Sequence, residues 1–145
     1  MAQKALGRAL NWTPAGDGVW INVREAGGIG FGCYLGGAAG DTYTLQEAKD
    51  SAGTGAQNLA AISEYFTNTG NASDAWTRRT QAAAATVVTT ATAAQQAAWF
   101  EVENTQLSDT YKYVKVTSTG AGTVAPVARD LMTQRAADKL PAMGA

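Results

Sequence analysis

Apolar and polar residues alternate with a period of two along much of this chain, the pattern of strands that bury one face. The sharpest case is 98–103, where Phe100 and Val102 alternate with Glu101 and Glu103; a strand there turns the apolar pair inward and both carboxylates to water. Residues 111–117 repeat the pattern with tyrosine and valine against Lys112 and Lys115. Over 41–48, Tyr43, Leu45 and Glu47 alternate with Thr42, Thr44 and Gln46, which suits a half-exposed strand. Residues 19–23 are β-branched and aromatic between Gly18 and the Gly27–Gly28 pair and predict another strand. In 29–35 the apolar residues Ile29, Phe31, Cys33 and Leu35 alternate with small ones, including Gly30 and Gly32. Such a strand is one that another backbone or layer approaches closely.

Other segments set propensity against pattern. Alanine favours helix over 81–98, but Thr86, Val87, Val88, Thr89 and Thr90 are five β-branched residues in a row and predict a strand. Leu59, Ile62 and Phe66 could form a helix face over 59–67, whereas Tyr65 and Phe66 favour strand, to which the second half is assigned. A strand over 75–80 places Trp76, Arg78 and Thr80 on one face and Thr77 and Arg79 on the other. The last strand is 123–131, and Pro126 assigns it to an edge or a bulge because proline cannot donate to a ladder. Turn residues dominate 49–58 and 68–74, and 104–109 is a short polar connection with room for one helical turn. Roughly seven to nine short strands predict an all-β fold, a β-sandwich or a small β-barrel. The β-domain spans 18–131, with an extended N-terminal arm over 1–17 and a C-terminal tail over 132–145 that hangs free or lies on a neighbour.

Composition narrows the function. A chain of 145 residues is about one domain. Its 11 basic and 12 acidic residues are scattered singly, so no basic stripe exists to neutralise phosphates and nucleic acid is not an expected partner. Cys33 is the single cysteine, which excludes an intrachain disulfide and fits a small buried hydrophobe. With no histidine the usual nitrogen ligand of transition metals is missing, and neither a metal nor a cofactor is expected. The first ten residues carry Lys4 and Arg8 without the apolar stretch of a signal peptide, and no segment is long and apolar enough to span a membrane. Synthesis and folding in a cytoplasm are therefore expected.

Catalytic patterns fail one by one. Asp41 with Glu47, or Glu101 with Glu103, could flank a glycosidic bond, but the second pair reads as the solvated face of a strand. The serines at 51, 63, 73, 108 and 118 have no lysine placed as a base. Gly28, Gly30 and Gly32 imitate a dinucleotide loop, yet Cys33 stands where the third glycine is needed. The expectation is a protein without catalytic residues. Of the four tryptophans, Trp20 and Trp99 lie in apolar strands and read as core. Trp12 in the arm and Trp76 beside Arg78 and Arg79 are interaction candidates, since tryptophan and arginine concentrate in binding hot spots.

The stretch from Leu45 through Glu47, Gly53 and Gln57, then Tyr65, Phe66, Trp76 and the run 81–87, resembles small head-associated proteins of tailed bacteriophages. So does the end, from Gln106 to Asp109 and Tyr113 to Val116, then Arg129, Leu131, Arg135 and the Leu140–Pro141 finish. The likeness covers 41–142 and is a texture of Thr/Ala/Gly strands without catalytic residues to carry over. It implies a β-domain that decorates or cements a capsid shell on the virion exterior, with the major capsid protein and further copies of itself as partners. It adds Arg129, Arg135 and Leu140 to the interaction candidates. A head-to-tail connector or tail subunit is the nearest alternative, and a carbohydrate-binding β-module using a tryptophan platform is the alternative of another class.

Overall fold

The computed structural model describes residues 11–13, 16–37, 39–71, 73–91, 95–132 and 143. Its strands are β1 (Ile21–Asn22), β2 (Ala26–Tyr34), β3 (Asp41–Ala48), β4 (Gln57–Asn58), β5 (Ile62–Asn68), β6 (Thr77–Ala84), β7 (Thr86–Thr89), β8 (Ala97–Glu103), β9 (Tyr113–Ser118) and β10 (Thr123–Leu131). A 3₁₀ turn, Asn104–Gln106, joins β8 to the segment before β9, where one helical turn is expected. Five strands form a first sheet in the order β10-β2-β8-β5-β6. In the second sheet β1, β9 and β3 are neighbours, and the far side of β3 is shared by β7 along its first half and β4 near its end. All pairings are antiparallel, and among the described residues no strand belongs to both sheets. The all-β expectation therefore resolves as a sandwich, with no closed barrel.

The alternation read in the sequence decides which side chains fill the space between the sheets. From the first sheet come Ile29, Phe31 and Cys33 of β2, Phe100 and Val102 of β8, and Val124 and Ala128 of β10. They meet Ile21, Tyr43, Leu45, Val87, Val114 and Val116 of the second. Phe31 and Phe100 are cross-strand partners with ring centroids 5.6 Å apart, near the centre of this layer. Each fully buried valine, leucine, isoleucine or phenylalanine among them contributes roughly 1.5–3 kcal/mol by leaving water. Cys33 is buried, as expected of a core thiol, and burial pushes its pKa far up, so it is held as the unreactive thiol.

The edges are treated unequally. β10 borders the first sheet, consistent with Pro126, and its outer side is partly covered by the arm. Trp12 bridges Val127, the Thr13 amide donates to the Pro126 carbonyl at 2.9 Å, and the Ala128 amide donates to the Asn11 carbonyl at 2.9 Å. β1 borders the second sheet, where the Asn22 amide donates to the Met143 carbonyl and Met143 itself packs into the core. β10 lies against β9, the neighbour of β1, so the described parts of arm and tail meet the sandwich along the same side.

Candidate functional site

The outer face of the first sheet is built around a strand with almost no side chains. Gly28, Gly30 and Gly32 all point outward from β2, because Ile29, Phe31 and Cys33 point in. The neighbouring strand fills the gap. Trp99 of β8 is opposite Gly32, and its six-membered ring lies across Gly30, where an added Cβ would stand 2.5 Å from Cη2. Only glycine admits that approach, which is the close contact expected of 29–35. The indole nitrogen donates to Glu101 at 3.1 Å, so the ring is fixed at both ends.

Register extends this into a strip of aromatic surface. Trp99 is opposite Phe66 of β5, and Phe66 is opposite Arg78 of β6. Directly opposed residues share a face, so Trp99, Phe66 and Arg78 form one outward row. Trp76 precedes β6 and is 52% exposed; with Phe66 and Trp99 it lines a trough of about 440 Å³. Beside it lie a cavity bordered by Glu64 and Glu101 and another bordered by Tyr34, Asn71 and Asp74. At the other end of the sheet Trp12 shares the face of its bridge partner Val127, itself opposite Gly30. Three of the four tryptophans thus stand on one sheet face, across a width of about 24 Å at the usual strand spacing.

The charges on this face are paired across strands. The Arg78 guanidinium meets Glu64, with Nε donating at 2.6 Å, and this bond holds the arginine firmly protonated. Arg129 of β10 reaches over Gly28 to Glu103 and lies 3.2 Å from Glu101. Arg79 lies on the opposite side of β6 from Arg78, as expected, and donates to Thr67 at 2.7 Å, so the two arginines do not act together. Trp12 and Arg129 stand on the same face as Trp76 and Arg78 but toward the β10 edge. Arg135 and Leu140 lie outside the described residues. Two expectations are corrected: Trp99 and Trp20 are not core but half-buried on outer faces. Trp99 follows the parity of Glu101, while Trp20 lies beneath the Lys115 ammonium, 4.5 Å from the ring centroid, and against Gly53.

Two carboxylates that share the inward parity of Tyr43 and Leu45 sit near the ends of β3. Glu47 is 1% exposed and accepts from Gln57 Nε2 at 2.6 Å and from the amide and hydroxyl of Ser108. Asp41 is 6% exposed and gathers the turn between β9 and β10. One oxygen accepts from the amides of Thr42, Thr119 and Gly120 and from the Thr119 hydroxyl, and the other from Ser118 Oγ and the Gly122 amide. Burial alone would raise this carboxyl, but the hydrogen bonds from Ser118, Thr119, Thr42 and Gly120 outweigh it and hold the pKa below the ordinary value. Both acids are acceptors filled by donors from neighbouring strands and loops, and neither is presented at a cavity described above. Comparison with known proteins finds no matching family, no matching curated protein and no matching solved structure.

Proposed function

We propose that this chain is a non-enzymatic structural protein of a tailed-bacteriophage particle that decorates and cements the capsid shell. The observation that supports this reading best is the meeting of arm and tail with the sandwich along one side. Asn11–Thr13 ladder onto β10 while Met143 anchors beside β1. Described parts of both ends that are tied down along one side secure the domain there and make that side a continuous contact surface, which suits a protein that must persist on a shell. The acids near the ends of β3 support the same reading, since they secure loops. The texture shared with small head-associated phage proteins supplies the partner, the major capsid protein, and with it the virion exterior as location. Further copies of the chain are expected beside each other on a symmetric shell.

Quantitative mass spectrometry of purified particles tests this. A copy number near that of the major shell protein is the expected result. A small fraction of that number would favour a connector or tail part, and absence from particles would overturn the phage-structural reading.

A further inference from the structure

We propose that the trough between Phe66, Trp76 and Trp99 is a binding site for a neutral saccharide. This does not rest on the capsid reading, because the trough lies over β8, β5 and β6, away from the side where arm and tail attach.

A sugar ring has an apolar face of C–H groups and a rim of hydroxyls, so it is recognised by a flat aromatic surface bordered by hydrogen-bonding groups. Trp99 offers such a surface already in position, seated on Gly30 and tied by its nitrogen to Glu101. Little side-chain freedom is then lost on binding. Trp76 stands half-exposed at the opposite wall, with Phe66 between them. The volume of about 440 Å³ falls in the range of small-molecule sites.

Charge selects among possible occupants. The carboxylates at one end are both engaged with arginine, Glu64 with Arg78 and Glu101 with Arg129. They keep lone pairs that can accept from hydroxyls, and because Arg129 is shared with Glu103 and Asp130 the border is net acidic and repels an anionic ligand. At the other end Asn71 and Asp74 continue the polar rim. An apolar peptide would leave these rim groups facing greasy side chains, whereas a neutral glycan meets both the aromatic floor and the polar border.

The test uses the full chain and a panel of neutral gluco-, manno-, galacto- and N-acetylglucosamine oligosaccharides, read by tryptophan fluorescence and calorimetry. Saturable binding to at least one series is expected. Trp76→Ala should weaken it at least about tenfold, as for loss of a hot-spot indole, while Trp76→Tyr retains most of it and Trp12→Ala leaves it unchanged. Trp76 is exposed, so an unaltered thermal transition will confirm that Trp76→Ala stays folded. Failure of the whole panel, binding indifferent to Trp76→Ala, or displacement of the sugar signal by Trp12→Ala alone would overturn the proposal. Loss of sugar binding in Trp76→Ala with undiminished particle occupancy would separate this site from the capsid contact.

Discussion

Asp41→Asn probes how much of the fold depends on one buried carboxylate. The substitution keeps size and shape but turns one of two acceptor oxygens into a donor. The less costly orientation places the amide nitrogen where Oδ2 stood, facing Ser118 Oγ and the Gly122 amide. The Ser118 hydroxyl can turn to accept from it, and the Gly122 amide keeps a second acceptor in Ser118 Oγ at 3.1 Å. The Ser118 hydroxyl proton loses its acceptor in that exchange, so the loss combines weaker, uncharged bonds with an orphaned donor. Bonds to an ionised acceptor exceed neutral ones by roughly 1 kcal/mol each, and weakening the two or three best of them costs about 2–3 kcal/mol. Urea unfolding followed by tryptophan fluorescence should show that loss at pH 7. The dependence on pH has a definite sign. The folded pKa of Asp41 is depressed, so its stabilisation is fully present above the unfolded value of about 3.9 and is lost as pH falls through the lower folded value. The gap between wild type and Asp41→Asn should therefore close in that acid window. Asp50, held low chiefly by Thr54, and Asp74, held low chiefly by the Thr69 amide, titrate in both proteins and cancel in the difference. A loss under about 0.5 kcal/mol at neutral pH, or a gap that does not change with acid, would refute the charge-based account.

Two further outcomes are expected. Gly30→Val should force the Trp99 ring off β2, lowering stability by about 1–3 kcal/mol and altering the near-ultraviolet circular dichroism of the indole, and Trp99→Ala in the same chain should recover part of the stability. Cys33 should resist a thiol reagent in the native protein and react at once in denaturant, and rapid native labelling would contradict its place in the core.

Much of the fold is legible in local pattern. Asp41–Ala48 and Thr123–Leu131 coincide with the strands expected, the inward set of β8 follows its alternation, and Pro126 marks an edge. The β-branched run at 86–89 prevails over alanine-rich flanks because it pairs with β3. Residues 81–84 instead lengthen β6, which local propensity alone does not indicate. Parity already places Asp41 and Glu47 on the inward side with Tyr43 and Leu45, but several of the donors that make their burial tolerable are distant in sequence: Ser108 is 61 residues from Glu47, and Ser118 is 77 from Asp41. Of the aromatic trough, Trp76 was legible from its arginine neighbours. Phe66 and Trp99 join it only through strand register, although the parity that sends Phe100 inward already requires Trp99 to face out. At position 99 the general tendency of tryptophan to be buried yields to the parity of the strand.

The seat of Trp99 on Gly30 also constrains how this sequence can drift over generations. The nearest atoms to a side chain at position 30 all belong to the indole, so a larger residue there becomes tolerable once position 99 shrinks, and the two positions should change as a pair among descendants. Gly28 has no such escape. A Cβ there would stand 2.8 Å from the Val102 carbonyl, which belongs to the backbone and is the same whatever residue occupies 102. Along one strand, two adjacent outward glycines therefore carry different histories in prospect: one negotiable with its neighbour, the other held by the ladder itself.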